Sequence, residues 1–351
     1  MAQSLDLRGI SRREFLRLSS AALLALLAAG TEVPTVARAQ SLQESVEPLG
    51  RITTNRVDMF DTPSLDGKFI RTLWKDLVLP ISKIEIGNGE PVHNKVWYRL
   101  NDEGYVHSGT VQPVQIKLNE AVKTIPEKGL LAEVTVPFTD ALWNPRFPKQ
   151  VAYRLYFTST HWVTDLIEDD DGGLWYEVLE DFYQFHYFVN AAHLRIIPSA
   201  EVAMISPDVP AKDKKLEVHL NDQIVIAYEG SNPVQMMRCS GGTALRRGYL
   251  TPTGDFRTDY KRPSRHMVNS RLASAYSYDL PGVPWICYFT EEGIAFHGTY
   301  WHNDFGRPKS HGCINLLSEN AKWIYRWTLP QVPFEEQRFD KIGGTAVKIV
   351  L

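Results

Sequence analysis

The stretch His297-Gly298-Thr299-Tyr300-Trp301-His302-Asn303-Asp304-Phe305-Gly306-Arg307-Pro308-Lys309-Ser310-His311-Gly312-Cys313-Ile314-Asn315 decides how this chain is read. It places one cysteine among three histidines, with Gly298 and Gly312 flanking the histidines and leaving room for close backbone approach. A thiol attacks carbon only as thiolate; its free pKa is roughly 8.5, and a neighbouring imidazolium lowers it. A Cys with a His in reach is therefore the minimum apparatus for covalent acyl transfer. His311, two residues before Cys313, points the same way as the thiol if the segment is extended and need not if it turns. His297 reaches the thiol only if the chain doubles back.

The elements around this stretch are β-like. Ile294-Ala295-Phe296-His297 reads as a strand with His297 at its end, and Trp285 to Thr290 as an apolar strand before it. Lys215 to Leu220 and Gln223 to Tyr228 alternate and read as a hairpin. Ser318 is a candidate N-cap for a helix that Pro330 ends, and Thr345 to Leu351 is a last alternating strand expected to insert in the domain's sheet. Arg265-His266-Met267 reads as lying between turns, with His266 either facing the cleft or on the surface.

The order His, then Ser-His-Gly-Cys-x-Asn resembles the signature of the YkuD-type L,D-transpeptidases, here His297 and Ser310 to Asn315. Thr251-Pro252-Thr253-Gly254-Asp255-Phe256 resembles a second segment of that family, Thr-Pro-x-Gly-x-Phe. The resemblance implies a YkuD-type β-sandwich catalytic domain over 213–351. It implies Cys313 as nucleophile, His297 as general base, and the carbonyl of Gly298 as what orients His297. It further implies backbone N–H groups at Gly312 and Cys313 as oxyanion donors, Ser310 and His311 as residues shaping the site, and Asn315 as a hydrogen-bonding residue of the loop or for substrate. The substrate class implied is the peptidoglycan stem peptide, with carbapenems as expected acylating inhibitors and no cofactor. The acyl acceptor stays open: a stem amine gives a cross-link between third residues, water an L,D-carboxypeptidase. Zinc held by His297, His302, His311 and Cys313 is a competing reading of the same side chains, and a non-catalytic wall-binding protein is another. The His297–Ser310 gap, 310 − 297 = 13 positions, is short for the family.

Farther out, Ser11-Arg12-Arg13-Glu14-Phe15-Leu16-Arg17 precedes an apolar run, Leu18 to Ala29, and then Ala37-Arg38-Ala39. Basic, apolar and small-residue regions in that order read as a Tat signal over 1–39, cut after Ala39, and place the mature protein outside the cytoplasm. Left uncut, the segment would act as an anchor.

Between signal and catalytic domain lie short strands with frequent turns, which predict small β-barrels. Val96-Trp97-Tyr98, a turn, then Gly104-Tyr105-Val106 resembles bacterial SH3-like modules and assigns one to 48–115. Trp97 and Tyr105 are then either core or platforms for sugar rings. Leu174-Trp175-Tyr176 echoes Trp97-Tyr98 and predicts a second small β module over 116–200. In it, Val134 to Phe138 starts a β-rich segment and Asp169-Asp170-Asp171-Gly172 reads as a solvated tip rather than a calcium loop. Pro198 to Pro210 reads as a linker. The overall class is mainly β. With 351 residues, 44% hydrophobic and 23% charged, the chain is ordinary for a globular protein of two or three domains. A net charge of −3 offers no bulk attraction to nucleic acid or anionic membrane. Three cysteines make no disulfide framework; Cys239 and Cys287 read as small buried hydrophobes, with pairing as the alternative.

Overall fold

Most of the alternating runs form strands. The computed structural model describes residues 48–244, 249–268, 278–333, 336, 339–340 and 344–351. The predicted signal, 1–39, lies outside the described residues. Among the described residues no helix is long and apolar enough to cross a membrane.

The first seven strands are β1 (Leu49–Ile52), β2 (Arg56–Phe60), β3 (Phe69–Trp74), β4 (Val78–Ile86), β5 (Val96–Leu100), β6 (Gly104–His107) and β7 (Val111–Val114). The next seven are β8 (Leu130–Val134), β9 (Phe138–Leu142), β10 (Val151–Tyr156), β11 (Thr160–Glu168), β12 (Leu174–Leu179), β13 (His186–Asn190) and β14 (Leu194–Ile196). The first set pairs in the order β3-β2-β6-β5-β4-β1-β7, the second in the order β10-β9-β13-β12-β11-β8-β14. These are one topology used twice. Trp97 pairs with His107 in the first sheet, Trp175 with Asn190 in the second, and both His107 and Asn190 then cap a 3-10 turn. The turns after β3 and β10 each carry one left-handed residue, Asp76 and Thr158, both at φ 67°. Each sheet ends in two edge strands, so neither closes into the predicted barrel. Trp97 is core, 1% exposed and edge-on to Phe60 and His107, while Tyr105 is half-buried. Val134 closes β8 and Phe138 opens β9, with Thr135 to Pro137 as the link; Pro137 has no N–H to give a ladder.

Two five-stranded sheets follow. One runs β17 (Asn232–Arg238), β16 (Ile224–Glu229), β15 (Lys214–His219), β24 (Ala346–Val350) and β18 (Gly254–Arg257). The C-terminal strand does insert there, parallel to β15. The other runs β22 (Ile314–Leu316), β21 (Ala295–Gly298), β20 (Asp279–Tyr288), β19 (Tyr260–Val268) and β23 (Phe339–Asp340). Their alternating inward residues, Leu216, Val218 and Val225 from one sheet and Trp285, Phe296 and Ile314 from the other, share a core with helix α1 (Ser318–Trp327). Leu131, Trp162 and Ile197 of the second seven-stranded sheet belong to that same core. Cys239 and Cys287 are free and fully buried in it.

Helix α1 buries Ala321, Ile324, Tyr325 and Trp327, one apolar stripe at helical spacing. Ser318 is its first residue rather than its N-cap, because its Oγ is engaged by Thr158 Oγ1 at 2.8 Å. The C-terminal end is capped by buried lysines. Lys261 Nζ donates to the carbonyls of Tyr325, Thr328 and Pro330, and Lys214 Nζ to those of Trp327 and Ile205. The segment expected to be a linker is docked on this helix: Ile205 N–H donates to the Arg326 carbonyl, and Glu201 pairs with Lys322 and Arg195.

Candidate active site

The end of β21 and the start of β22 lie side by side, since these strands pair in parallel with His297 opposite Asn315. That pairing folds the intervening loop back and brings His297 and Cys313 to one cavity of about 390 Å³. Ser310, His311, Asn315, Trp301, His302 and Lys309 line it too.

The motif loop is held from within. Gly312 sits at φ 117°, a conformation that costs any other residue strain. Its N–H donates to Ser310 Oγ at 3.1 Å, and Ser310 Oγ donates to the Cys313 carbonyl. Thr251, first residue of the second motif, donates from Oγ1 to the Gly312 carbonyl at 2.8 Å and accepts from Gly242 N–H at 2.8 Å. Ser240 and Asn315 exchange two backbone hydrogen bonds of 2.9 Å. The second motif is thus a fixture of the Cys313 turn, which its distance in sequence does not disclose.

His297 is buried, and its Nδ1 donates to the Gly298 carbonyl at 2.9 Å, so Nε2 carries the lone pair. Burial lowers its pKa to about 4, with the Gly298 carbonyl working weakly the other way. The Cys313 thiol is 3.9 Å from the Gly293 carbonyl. Burial pushes its pKa up to about 11, against a hydrogen bond at the Ala295 backbone. Both shifts favour the uncharged forms over the thiolate–imidazolium pair that a Cys beside a His first suggests.

His311 is exposed and sits between Tyr249 and Tyr278, with ring centroids 4.2 and 5.3 Å away. Asn315 is buried against His302: its side-chain amide meets His302 Nε2 at 3.0 Å, while Asp304 N–H donates to His302 Nδ1 at 3.2 Å. The atom placed at His302 Nε2 is Asn315 Nδ2; since His302 Nδ1 accepts, Nε2 carries the hydrogen, and the Asn315 amide is assigned the flipped orientation that turns its oxygen to that hydrogen. His302 was the histidine without a role in the sequence; it fixes Asn315. Gly312 is not a free oxyanion donor, because Ser310 has taken its N–H. His297, His302, His311 and Cys313 do not form a metal-ligand group among the described residues.

Each seven-stranded sheet grips a segment adjoining residues that line this cavity, the first beside Trp301 and His302 and the second beside Met267. From the first, His93 Nε2 meets Asp304 Oδ1 at 2.8 Å, Arg51 donates to the Tyr300 carbonyl at 2.6 Å, and the Gly109 carbonyl accepts from Asn303 N–H. A Cβ on Gly109 would stand 2.7 Å from the Asp304 carboxylate, so only glycine permits this approach. From the second, the turn after β12 carries Glu180 and Asp181. Glu180 bonds His266 Nδ1; Asp181 accepts from His266 N–H and pairs with Arg262 and Arg265 at 2.9 and 3.0 Å. His266 is thus inside β19 and 2% exposed, neither between turns nor on the surface. Asp279 holds its other nitrogen. Burial opposes its charged form, but the two carboxylates outweigh burial and raise its pKa.

Residues 213–349 match the family model of YkuD, the L,D-transpeptidase catalytic domain. The match covers the C-terminal part of this chain. A putative L,D-transpeptidase of Bacillus subtilis, YciB, is 27% identical over 129 residues, which are 34% of this chain and 63% of that protein. The chain therefore spans less than two thirds of that relative's length. An L,D-transpeptidase from Mycobacterium smegmatis aligns over 77% of this chain and 100% of its own, at 17% identity and a TM-score of 0.33. The catalytic domain of the Enterococcus faecium L,D-transpeptidase acylated by ertapenem aligns over 39% of this chain and 97% of its own, at 21% identity and a TM-score of 0.30.

Proposed function

We propose that this protein is an L,D-transpeptidase acting on peptidoglycan stem peptides through Cys313. The observation that carries the reading is the junction of β21 and β22. It puts His297, oriented by its own neighbour's carbonyl, and Cys313, on a turn locked by Ser310 and Thr251, into one cavity.

His297 Nε2 takes the thiol proton as sulfur attacks the carbonyl of the stem's third residue. The resulting oxyanion is met by the Cys313 N–H, Gly312 being committed to Ser310. The C–N bond then breaks, the proton passes from His297 to the departing amine, and D-alanine leaves. An amine acceptor attacks the thioester, gives its proton to His297, and the thiol is regenerated with a cross-link between third residues. Water in place of the amine makes the same site a carboxypeptidase.

Because His297 titrates at about 4 and Cys313 at about 11, general-base activation rather than a standing thiolate is the operative form. The acid limb of kcat/KM for acylation accordingly falls near pH 4, well below an ordinary histidine; a limb near 6.5 would refute this assignment.

The twin-arginine segment supports export by the Tat route and action outside the cytoplasm. The short strands and the Trp97-Tyr98 motif support an SH3-like ancestry for the first sheet. Any glycan contact there falls to Phe69 and Trp74, 54% and 62% exposed, since Trp97 is buried.

The test is intact mass after incubation with a carbapenem, comparing wild type with Cys313→Ala. One adduct per chain, absent in the variant, is expected. A folded, reduced protein that forms none would sink the reading. Four-residue stems, with and without an amine acceptor, then separate transferase from hydrolase.

A further inference from the structure

Two charged side chains line the cavity among the described residues, Glu292 and Lys309. Lys309 is half-buried, and its ammonium is 3.3 Å from Asp304 Oδ2. That carboxylate already has partners. Arg307 pairs with the same oxygen at 2.5 Å, and His93 holds Oδ1 at 2.8 Å. Arg238 adds a third cation beside the loop, donating to the His93 carbonyl. One carboxylate thus faces two cations, Arg307 and Lys309, and Lys309 is the one at the cavity wall. Asp304 does not need Lys309 for neutralisation, and keeping a partly desolvated ammonium there costs free energy unless an anion arrives.

We propose that Lys309 is the carboxylate-binding residue of this cavity, its ammonium tethered by Asp304 and, through His93, by the first seven-stranded sheet. The proposal rests on the stem-peptide reading above and names which feature of the peptide is read. Two carboxylates qualify: the C-terminal one on the departing residue, and a side-chain one where the third residue carries it. The chemistry is the same for both, a charge-assisted hydrogen bond from N–H to a carboxylate oxygen.

The experiment uses the full mature chain and three stems: the acid, its C-terminal amide, and the analogue amidated on the third residue's side chain. Cys313 acylation is followed for wild type, Lys309→Met and Lys309→Arg, and binding by calorimetry in Cys313→Ala backgrounds. Thermal unfolding checks that the Lys309 variants fold. One amide is expected to raise KM roughly tenfold or more in wild type. Lys309→Met is expected to show the same loss with the acid and no further loss with that amide, at nearly unchanged kcat, and Lys309→Arg to recover part of it. The amide that mimics the variant identifies the carboxylate read. Equal losses of Lys309→Met on all three stems, or indifference of wild type to both amidations, overturn the proposal and leave Lys309 a loop brace. A stem that acylates Cys313 with no dependence on Lys309 sinks this proposal alone. A wild type that neither binds nor reacts with any stem sinks the transpeptidase reading, and this one with it.

Discussion

The two seven-stranded sheets share one strand order yet hold the C-terminal pair of sheets by different loops. In the first, the long connection between β4 and β5 and the turn before β7 do the gripping, through His93 and Gly109. The turn between its β5 and β6 stays at the surface, where Glu103 meets Arg71 at 2.8 Å with both side chains partly exposed. In the second the roles are exchanged. The turn between β12 and β13 buries Glu180 and half-buries Asp181 while leaving Phe182 to Gln184 exposed, and the β11–β12 tip carries Asp170 in an exposed pair with Arg146. Topology therefore does not say which end of such a sheet is the working end. Burial of charge does: a carboxylate is taken out of water only where cations and N–H groups wait for it, as Arg262, Arg265 and His266 do.

The comparison breaks most readily at Glu180. Glu180→Ala strips His266 of one of its two carboxylates inside a dry interface and leaves the Phe182 and Tyr183 N–H groups unmet. A loss of about 3 kcal/mol in urea unfolding is expected. A loss below about 1 kcal/mol would mean this interface is wet and the two sheets are not so different.

On the first sheet, His93→Ala leaves Asp304 still paired with Arg307 and Lys309, so a loss of about 1 kcal/mol is expected. A larger effect is expected on Cys313 acylation by a carbapenem, through a loosened loop between His297 and Cys313. Gly109→Val, whose side chain has no room beside Asp304, is expected to lower activity more than His93→Ala, which loses only a hydrogen bond.

The pH dependence separates the clasps further. His266 is raised in the folded state, so its contribution is full below the unfolded pKa and is lost as pH rises through the folded value. Glu180 is lowered although burial, its largest influence, pulls the other way; hydrogen bonds from His266, Tyr183 and Phe182 win. Its contribution is full above the unfolded carboxylate pKa and is lost as pH falls through the folded value. The clasp is therefore tightest in mildly acidic solution. In His266→Gln the alkaline fall in stability should flatten; an unchanged pH profile would assign that fall elsewhere. The smallest effects belong to the matched exposed loops. Glu103→Ala and Asp170→Ala are each expected to stay within about 0.5 kcal/mol of wild type.

Much of this was legible without coordinates. Ser310 to Asn315 is contiguous, so its spacing in sequence is its geometry: a glycine at φ 117°, a serine closing the turn, a cysteine at the cavity. The alternation of Lys215 to Leu220 and of the C-terminal run predicted strands because a sheet buried on one face must repeat every second residue. The echo of Trp97-Tyr98 in Trp175-Tyr176 marked a repeat, and both tryptophans occupy the same register.

What the chain's order alone determined, then, was chemistry and local form: which residues bear the reactive groups, and which runs can be strands. Tertiary structure alone decided what those groups feel. Asp304 meets His93 across 211 positions and Glu180 meets His266 across 86, distances over which no periodicity carries information. The same holds for the shift of Cys313 and His297 toward their uncharged forms, whose pKa values follow from the water that folding removes, a property of the assembled volume and not of any stretch of sequence.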